Sequence, residues 1–299
     1  IGEGGMGVLY KAYDRRLVRT VALKFLKHLE PETWDLFLRE ARAQAQLEHP
    51  GVGRVFEVVQ DAERPYLVLQ FIDGPTLGQA TPQLDLRERV GLIRQVAEAL
   101  HACHRGGILH RDLKPGNVLL ERLPEGGWQP FLVDFGLARN MGGTTEATMP
   151  GLLMGTPAFS SPEALRGGEV DPRSDVYGLG ATLYATVTGH APFEAESTWE
   201  LIRKVQDADP IPPRRHRPDL PRDLEAVMLK ALEKRPEDRY PSAQAFGADL
   251  QRYLDADPTE AHSGLGYRLW KRLRKVGPLR LLGGLAATTL LAGGGWGLW

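Results

Sequence analysis

Cysteine is almost absent from this sequence, since Cys103 is the one cysteine in 299 residues. A single thiol cannot form an intrachain disulfide, which excludes a disulfide-stapled scaffold and fits a reducing compartment. Cys103 lies in an apolar-periodic run, so a buried core position is favoured over a nucleophilic one. Net charge is also nearly absent, at −1 at pH 7, and this balance indicates no nucleic-acid partner.

Two further absences concern the kind of site and the extent of the chain. The eight histidines include no helix-spaced pair accompanied by an acidic residue, which argues against a zinc site. The chain begins at Ile1 without a methionine and ends inside an apolar run, so we expect a fragment of a longer protein. What remains is an ordinary globular composition, 42% hydrophobic and 25% charged, long enough for one large or two medium domains.

Glycine is concentrated at the start of the chain, where Gly2, Gly4 and Gly7 form the pattern G-x-G-x-x-G. Glycines allow a backbone to approach phosphates closely. The pattern also fits a dinucleotide fold or a flexible turn, but a dinucleotide site requires a helix directly after the glycines. Residues 8–13 are strand-like instead, which favours a glycine hairpin.

Two charged residues further along the chain lie on a predicted strand and on a predicted helix. Lys24 lies in residues 21–26, which have the pattern of a half-buried strand. Glu40 lies at the border of the apolar face of a helix predicted over residues 31–47. An exposed strand lysine and a solvated helix carboxylate are the simpler interpretations of these two residues.

The most specific motif is His-Arg-Asp-Leu-Lys-Pro-Gly-Asn at residues 110–117, followed by Asp-Phe-Gly at residues 134–136. Within 25 residues it places a proton acceptor, a cation and two oxygen ligands for a hard metal ion, namely Asp112, Lys114, Asn117 and Asp134. Phosphoryl transfer needs these groups, because its catalysis consists mostly of positioning and charge neutralisation.

Together with Gly-Thr-Pro-Ala-Phe-Ser-Ser-Pro-Glu at residues 155–163, these motifs resemble the Ser/Thr protein kinases. The chain is most similar in pattern to the bacterial eukaryotic-like family and to its membrane-anchored, receptor-type members. The resemblance covers residues 1–254. Two departures are mild, since Leu9 stands where kinases usually have valine and Ser161 stands where alanine is commoner.

The resemblance implies an α+β fold, the two-lobe protein kinase fold. A small β-rich N-lobe with one main helix, its first strand truncated, would occupy residues 1–72. A larger, mostly helical C-lobe would occupy residues 73–255. A basic juxtamembrane linker at residues 256–280 and a single transmembrane helix at residues 281–299 would follow.

The resemblance also implies catalytic roles. Asp112 would orient and deprotonate the substrate hydroxyl, and Lys114 would steady the γ-phosphate. Lys24, paired with Glu40, would orient the α- and β-phosphates. The expected catalytic residues are Lys24, Glu40, Asp112, Lys114, Asn117, Asp134 and Thr156.

ATP and Mg²⁺ are the implied cofactors, with Mn²⁺ as an alternative ion. Asn117 and Asp134 would hold the metal ion. Leu69 would be the gatekeeper beside the adenine, and residues 70–72 would form the hinge that binds the adenine through backbone groups. The expected nucleotide-binding residues are Ile1, Gly2, Gly4, Gly7, Leu9, Ala22, Lys24, Leu69, Gln70 and Ile72.

Supporting contacts are implied as well. Glu163 would pair with Arg239, and Asp175 would brace the backbone of the catalytic loop from a buried helix. Thr156 would touch Asp112 and Lys114, as in Ser/Thr kinases.

Residues 137–162 would form the activation loop of such a kinase. This stretch is rich in glycine and threonine, and Arg111 would lie close enough to engage a phosphothreonine. The simpler interpretation is that the threonines only keep the loop soluble. The candidate phosphorylation sites are Thr144, Thr145 and Thr148, with Thr148 favoured by its distance from the Gly155-Thr156 pair.

Acidic residues are absent after Glu260, and a basic cluster at residues 268–280 precedes nineteen uncharged residues at 281–299. At about 1.5 Å per residue such a run spans roughly 28 Å, close to the hydrocarbon thickness of a bilayer. The basic cluster predicts a single-pass protein of the cell (inner) membrane with a cytoplasmic kinase. A buried core helix and a helix lying on the lipid surface are the competing interpretations.

The sequence therefore predicts a membrane-anchored kinase that phosphorylates serine and threonine hydroxyls of proteins, including its own activation loop. Its partners would be protein substrates and the lipid bilayer, and phosphorylation in trans makes a homodimer plausible. The alternative is a catalytically weak pseudokinase that serves as a nucleotide-binding scaffold. A small-molecule kinase and a tyrosine kinase are disfavoured by Lys114.

Overall fold

The computed structural model describes residues 2–4, 7–26, 38–39, 41–60, 65–135 and 157–262. These residues form a β-rich part followed by a mostly helical part. The strands are β1 (Gly2–Gly4), β2 (Gly7–Asp14), β3 (Arg19–Leu26), β4 (Val55–Val59), β5 (Tyr66–Gln70), β6 (Val118–Arg122) and β7 (Trp128–Leu132). The helices are α1 (Leu77–Ala80), α2 (Leu86–Arg105), α3 (Pro162–Leu165), α4 (Pro172–Thr188), α5 (Thr198–Asp207), α6 (Pro213–His216), α7 (Arg222–Ala231) and α8 (Ala243–Leu254).

The first five strands form one antiparallel sheet in the order β1-β2-β3-β5-β4. Lys24 lies opposite Leu67 in this sheet, so the two side chains share a face. Helical residues Leu38 and Ala41 pack with Leu67 and Val55 in a small core. This packing places the helix on the face of the sheet that carries Lys24.

The helical part is organised around α2 and α4, which form the centre of the main core. Helix α2 begins with a capping box in which Asp85 and Glu88 each accept from the backbone N–H of the other. Helix α4 is buried on nearly all sides after its first turn, where apolar and small residues predominate. A Cβ atom at Gly180 of α4 would lie 2.5 Å from the Cβ of Ala231, so glycine lets α4 and α7 approach closely.

The two parts are joined beneath the sheet by backbone contacts. Gly53, just before β4, donates its N–H to the carbonyl of Leu132 at 2.9 Å. Leu132 in turn donates to the carbonyl of Gly51 at 2.8 Å. On the other side, a Cβ atom at Gly74 would lie 1.8 Å from the carbonyl oxygen of Leu120, so only glycine fits where β5 leads into the helical part.

The two-lobe α+β architecture predicted from the sequence is confirmed, with one correction to its elements. The apolar run at residues 131–134 predicts a short buried strand that reaches Asp134, whereas β7 ends at Leu132. Residues 121–129, which the glycine and proline content of the sequence predicts to be a hairpin, join β6 to β7 as one, with Arg122 paired to Trp128 across the turn at residues 123–127.

None of the described helices is both long enough and apolar enough to span a bilayer. The predicted transmembrane segment at residues 281–299, and the linker beyond residue 262, lie outside the described residues.

A largely buried ion pair fixes the segment that follows the predicted activation loop. Arg239 donates from Nη1 and Nη2 to the two carboxylate oxygens of Glu163, at 2.7 and 2.8 Å. The Ser174 hydroxyl adds a third bond to Glu163 at 2.6 Å. The predicted pairing of Glu163 with Arg239 is thus confirmed, and it ties α3 to the turn before α8.

This pair makes stability depend on pH. Burial alone would raise the pKa of Glu163, but hydrogen bonds from Arg239 and Ser174 outweigh it and lower the pKa from 4.5 to about 2. The ionised form therefore stabilises the fold above about pH 4.5, and this contribution is lost as pH falls toward 2. We expect Glu163→Gln to lower the free energy of unfolding at pH 7 by about 3 kcal/mol and to flatten its pH dependence in that window.

Urea denaturation at several pH values measures this effect. Glu169→Gln, which changes an exposed carboxylate nearby in sequence, is the control and should behave as the wild type. A Glu163→Gln protein that kept the wild-type pH dependence would contradict the assignment.

Candidate active site

The catalytic loop between α2 and β6 brings three predicted residues together. Asp112 Oδ2 accepts hydrogen bonds from Lys114 Nζ at 2.8 Å and from Asn117 Nδ2 at 2.9 Å. Asn117 Nδ2 also donates to the backbone carbonyl of Asp112 at 2.8 Å. Asp112 and Asn117 are both buried. The result is a fixed carboxylate with a cation beside it.

Asp175 holds the backbone of this loop from helix α4. Its carboxylate accepts from the backbone N–H groups of His110 and Arg111, both at 2.7 Å, as the sequence predicted. Nε2 of His104, on α2, lies 2.8 Å from Oδ2. Because an ionised carboxylate only accepts, Nε2 is the donor. Burial alone would raise the pKa of Asp175, but the hydrogen bonds from His104 and from the backbone N–H of His110 outweigh it and lower the pKa.

The loop backbone is strained where Asp175 holds it. Arg111 has a φ of 62°, in the left-handed region that side chains other than glycine rarely adopt. Such strain persists only when surrounding bonds determine the conformation. The carboxylate beneath the loop supplies two of those bonds.

His110 connects the loop to the segment after β7 that carries Asp134. Its Nε2 lies 3.1 Å from the carbonyl of Val133, so this nitrogen donates, and Nδ1 accepts the backbone N–H of Asp112 at 3.3 Å. Burial lowers the pKa of His110, which favours the neutral ring that this arrangement requires. The ring also packs against Phe135, with 4.6 Å between centroids.

Val133 joins the catalytic loop to the segment that carries Asp134. Its N–H donates to the carbonyl of Asn117 at 3.0 Å, and its carbonyl accepts from His110. Asp134 is the next residue and has a φ of 57°. The contacts of Val133 therefore fix the distance between the two predicted metal ligands, Asn117 and Asp134.

Lys24 reaches this centre from the sheet. Its Nζ lies 2.7 Å from Asp134 Oδ1, an ion pair that bridges β3 and the segment after β7. The lysine side chain is 12% exposed and the aspartate 43% exposed, so the carboxylate remains open to solvent and to ligands. The partner predicted for Lys24, Glu40, lies outside the described residues.

The oxygen ligands present fit a hard divalent ion. Asn117 directs its Nδ2 at Asp112, which turns the amide oxygen away from that carboxylate. Asp134 supplies a second, half-exposed oxygen donor. Mg²⁺ characteristically takes one or two protein oxygens and completes its shell with water and phosphates. Among the described residues no cluster of three or more His, Cys, Asp or Glu side chains competes as a metal site.

The predicted nucleotide-binding residues meet on one face of the sheet. Leu9 lies opposite Lys24, and Ala22 lies opposite Leu69, so all four side chains point to the same side. Gly2 and Gly4 belong to the β1–β2 hairpin, where Gly4 pairs with Gly7.

The segment after β5 continues this surface. Gln70 exchanges hydrogen bonds with Arg54, donating its backbone N–H at 2.9 Å and accepting through Oε1 at 3.3 Å. Ile72 is buried. Ile1 and Thr156 lie outside the described residues, as do the three candidate threonines of the activation loop.

His104 was not assigned a role from the sequence, and the structure shows it bonded to Asp175. A signal was present: His104 follows Ala97 by seven residues and Leu100 by four, which is the spacing of the buried face of α2. A histidine at such a position needs a buried hydrogen-bond partner.

Comparison with known proteins identifies the family. The protein kinase domain family profile matches residues 1–250. Among curated relatives, the serine/threonine-protein kinase PknB of Mycobacterium leprae is 37% identical over 276 residues, covering 87% of this chain and 43% of that protein. PknK of Mycobacterium tuberculosis is 40% identical over 259 residues, covering 84% of this chain and 23% of PknK. The chain thus spans less than half the length of these relatives.

Solved structures agree in fold. The PknI kinase domain of Mycobacterium tuberculosis has a TM-score of 0.66 at 26% identity, covering 84% of this chain and 92% of that one. A Rad53 fragment in complex with AMP-PNP has a TM-score of 0.68 at 25% identity, covering 82% of this chain and 62% of that one. The chain therefore belongs to the protein kinase domain family and, within it, to the bacterial eukaryotic-like serine/threonine kinases.

Proposed function

We propose that this chain transfers the γ-phosphate of ATP to serine and threonine hydroxyls of proteins, including threonines of its own activation loop. The observation that carries this proposal is the buried Asp112 carboxylate, held by Lys114 and Asn117 and joined through Val133 to Asp134. A scaffold that only bound nucleotide would not need Asp112 and Lys114 to be fixed in this way. The nucleotide analogue bound by Rad53, a structural relative, supports ATP as the donor.

In this proposal Asp112 orients the attacking hydroxyl and takes its proton as the new O–P bond forms, while the bond between the γ-phosphorus and the β–γ bridging oxygen breaks and ADP leaves. Lys114, 2.8 Å from that carboxylate, would lie beside the transferred group and offset its developing negative charge. Lys24 orients the phosphates from the sheet. Leu9, Ala22 and Leu69 cover the adenine.

Asn117 and Asp134 would hold Mg²⁺, or Mn²⁺ in its place. When bound, the ion neutralises charge on the phosphate oxygens and keeps them in line for transfer. The task of the protein there is positional, since Val133 keeps the two ligands in register through its contacts with Asn117 and His110.

We expect Asp112→Asn to lower kcat for phosphate transfer to a basic protein by about 100-fold or more, because the proton acceptor is lost. The KM for ATP should change little, since the sheet face is untouched. Asp219→Asn, an exposed aspartate before α7, is the control and should keep full activity. Wild-type activity in Asp112→Asn would contradict the role of Asp112 as proton acceptor.

The wild type also separates the kinase from the alternative. A wild type that binds ATP without transferring phosphate would indicate a nucleotide-binding scaffold. Mass spectrometry of the active protein should place the phosphate on Thr148.

We further propose that residues 281–299 anchor the kinase in the inner membrane through a basic linker, with the catalytic part cytoplasmic. The support is the uncharged run itself and the six basic residues at 268–280 that precede it. Anchored copies confined to one bilayer would meet often, which suits a homodimer that phosphorylates its activation loops in trans.

Alkaline carbonate extraction tests the anchor. The wild-type chain should stay with the membrane pellet. Leu290→Arg places a charge near the middle of the run, at a cost of about 3 kcal/mol, and should shift the protein toward the supernatant. Release of the wild type into the soluble fraction would contradict a membrane span.

A further inference from the structure

The chain does not leave the helical part where its last helix ends. Helix α8 stops at Leu254, and the family profile already stops at residue 250. Residues 259–261 nevertheless lie against the body of the domain. Thr259 is 0% exposed, and Ala261 packs on the main hydrophobic core. A short segment beyond the family domain is therefore built into this fold.

A buried carboxylate receives this segment. Asp249, on α8, is 0% exposed. Its Oδ1 accepts the backbone N–H of Glu260 at 2.6 Å, and its Oδ2 accepts the backbone N–H of Ala261 at 3.0 Å. Each carboxylate oxygen thus takes one of two successive peptide N–H groups.

The rest of the Asp249 environment comes from the domain itself. The hydroxyl of Tyr240 donates to Oδ2 at 2.6 Å, and Arg252 Nη1 lies 3.4 Å from Oδ1. Without residues 260 and 261 the buried carboxylate would lose half of these four partners. A buried charge that loses its hydrogen bonds is costly, so the segment is favoured in this place.

Two further contacts hold the ends of the segment. Arg252 Nη1 lies 2.8 Å from the Glu260 carboxylate. His262 Nδ1 lies 3.1 Å from Asp223 Oδ1 in the first turn of α7. The segment is thereby fixed to both α8 and α7, so the first part of the predicted linker, up to His262, lies on the domain ahead of the basic cluster at residues 268–280.

We propose that Asp249 and its surroundings are a docking site for the chain's own residues 259–261, and that docking sets the point where the linker leaves the kinase. With the segment docked, the described chain is held on the domain as far as His262. Undocking would release residues 255–262, which adds eight residues and up to about 28 Å of reach. Given the membrane anchor proposed above, on which only this consequence rests, docking keeps the catalytic part closer to the bilayer.

Variants on both sides of the contact separate docking from general stability. Asp249→Asn keeps the shape of the side chain but leaves one of the two peptide N–H groups without an acceptor. Ala261→Pro removes a donor from the segment and leaves Asp249 intact. Tyr240→Phe is the matched control, since it removes a donor to the same carboxylate but neither peptide contact.

Thr259 provides a variant with the opposite effect. Its buried hydroxyl has no hydrogen-bond partner among the described residues. Thr259→Val replaces that hydroxyl with a methyl group of similar size, so the docked segment should be held more firmly.

Hydrogen–deuterium exchange on the full chain, read at the amides of residues 260 and 261, tests the proposal. We expect protection in the wild type and in Tyr240→Phe, and slower exchange in Thr259→Val. Asp249→Asn should exchange at least about tenfold faster there, and Ala261→Pro should do the same at residue 260, with α7 and α8 still protected.

Unprotected amides in the wild type would overturn the proposal, as would full protection of both residues 260 and 261 in Asp249→Asn. If Asp249→Asn also loosened α7 and α8, Ala261→Pro would decide the question. Full protection of residue 260 in that variant would count against docking, and its loss with intact helices would support it.

Discussion

The site depends first on the hydrogen bonds that converge on Asp175. A catalytic loop is irregular backbone, and irregular backbone has no ladder of its own to fix it. The carboxylate of Asp175 supplies that order from the most buried helix of the domain, by accepting the N–H groups of His110 and Arg111. His104 bonds to the same carboxylate from α2, so the loop is held relative to both central helices. The left-handed backbone at Arg111 is maintained by this network, and Asp112 is the next residue.

Backbone groups then connect the catalytic loop to the segment that carries Asp134. His110 and Asn117 both bond to Val133, whose neighbour Asp134 pairs with Lys24 of the sheet. No functional side chain in this chain of contacts is positioned by packing alone. The same device recurs at the partly buried Glu163 and the buried Asp249, two further carboxylates that accept donors from outside their own helices. Both oxygens of each carboxylate accept hydrogen bonds. A charge that is removed from water specifies structure when its hydrogen bonds are made in this way.

Much of this could be predicted from the sequence, because short motifs carry local geometry. The grouping of Asp112, Lys114 and Asn117 follows from their spacing in one tight loop, and the fold class follows from the order of elements. The contacts of Glu163 and Asp175 were predicted only through the resemblance to kinases, since no local pattern links residues so far apart in the chain. The roles of His104 and Asp249 were not predicted. Both are ordinary polar residues on amphipathic helices until long-range packing brings a second segment to them. The end of β7 was misplaced for a related reason: an apolar run shows where a strand is favoured, whereas its pairing partner decides where it stops.

The most direct test of this account is the kinetics of Asp175→Asn. The asparagine keeps one acceptor oxygen, so one of the contacts to the loop must be lost while the helix remains intact. Asp112 would then be poorly held, whereas the sheet face and Lys24 would be unaffected. The account predicts a fall in kcat for phosphate transfer of about tenfold or more, with the KM for ATP within about threefold of wild type and an unchanged circular dichroism spectrum. A folded Asp175→Asn protein with wild-type kcat would contradict it.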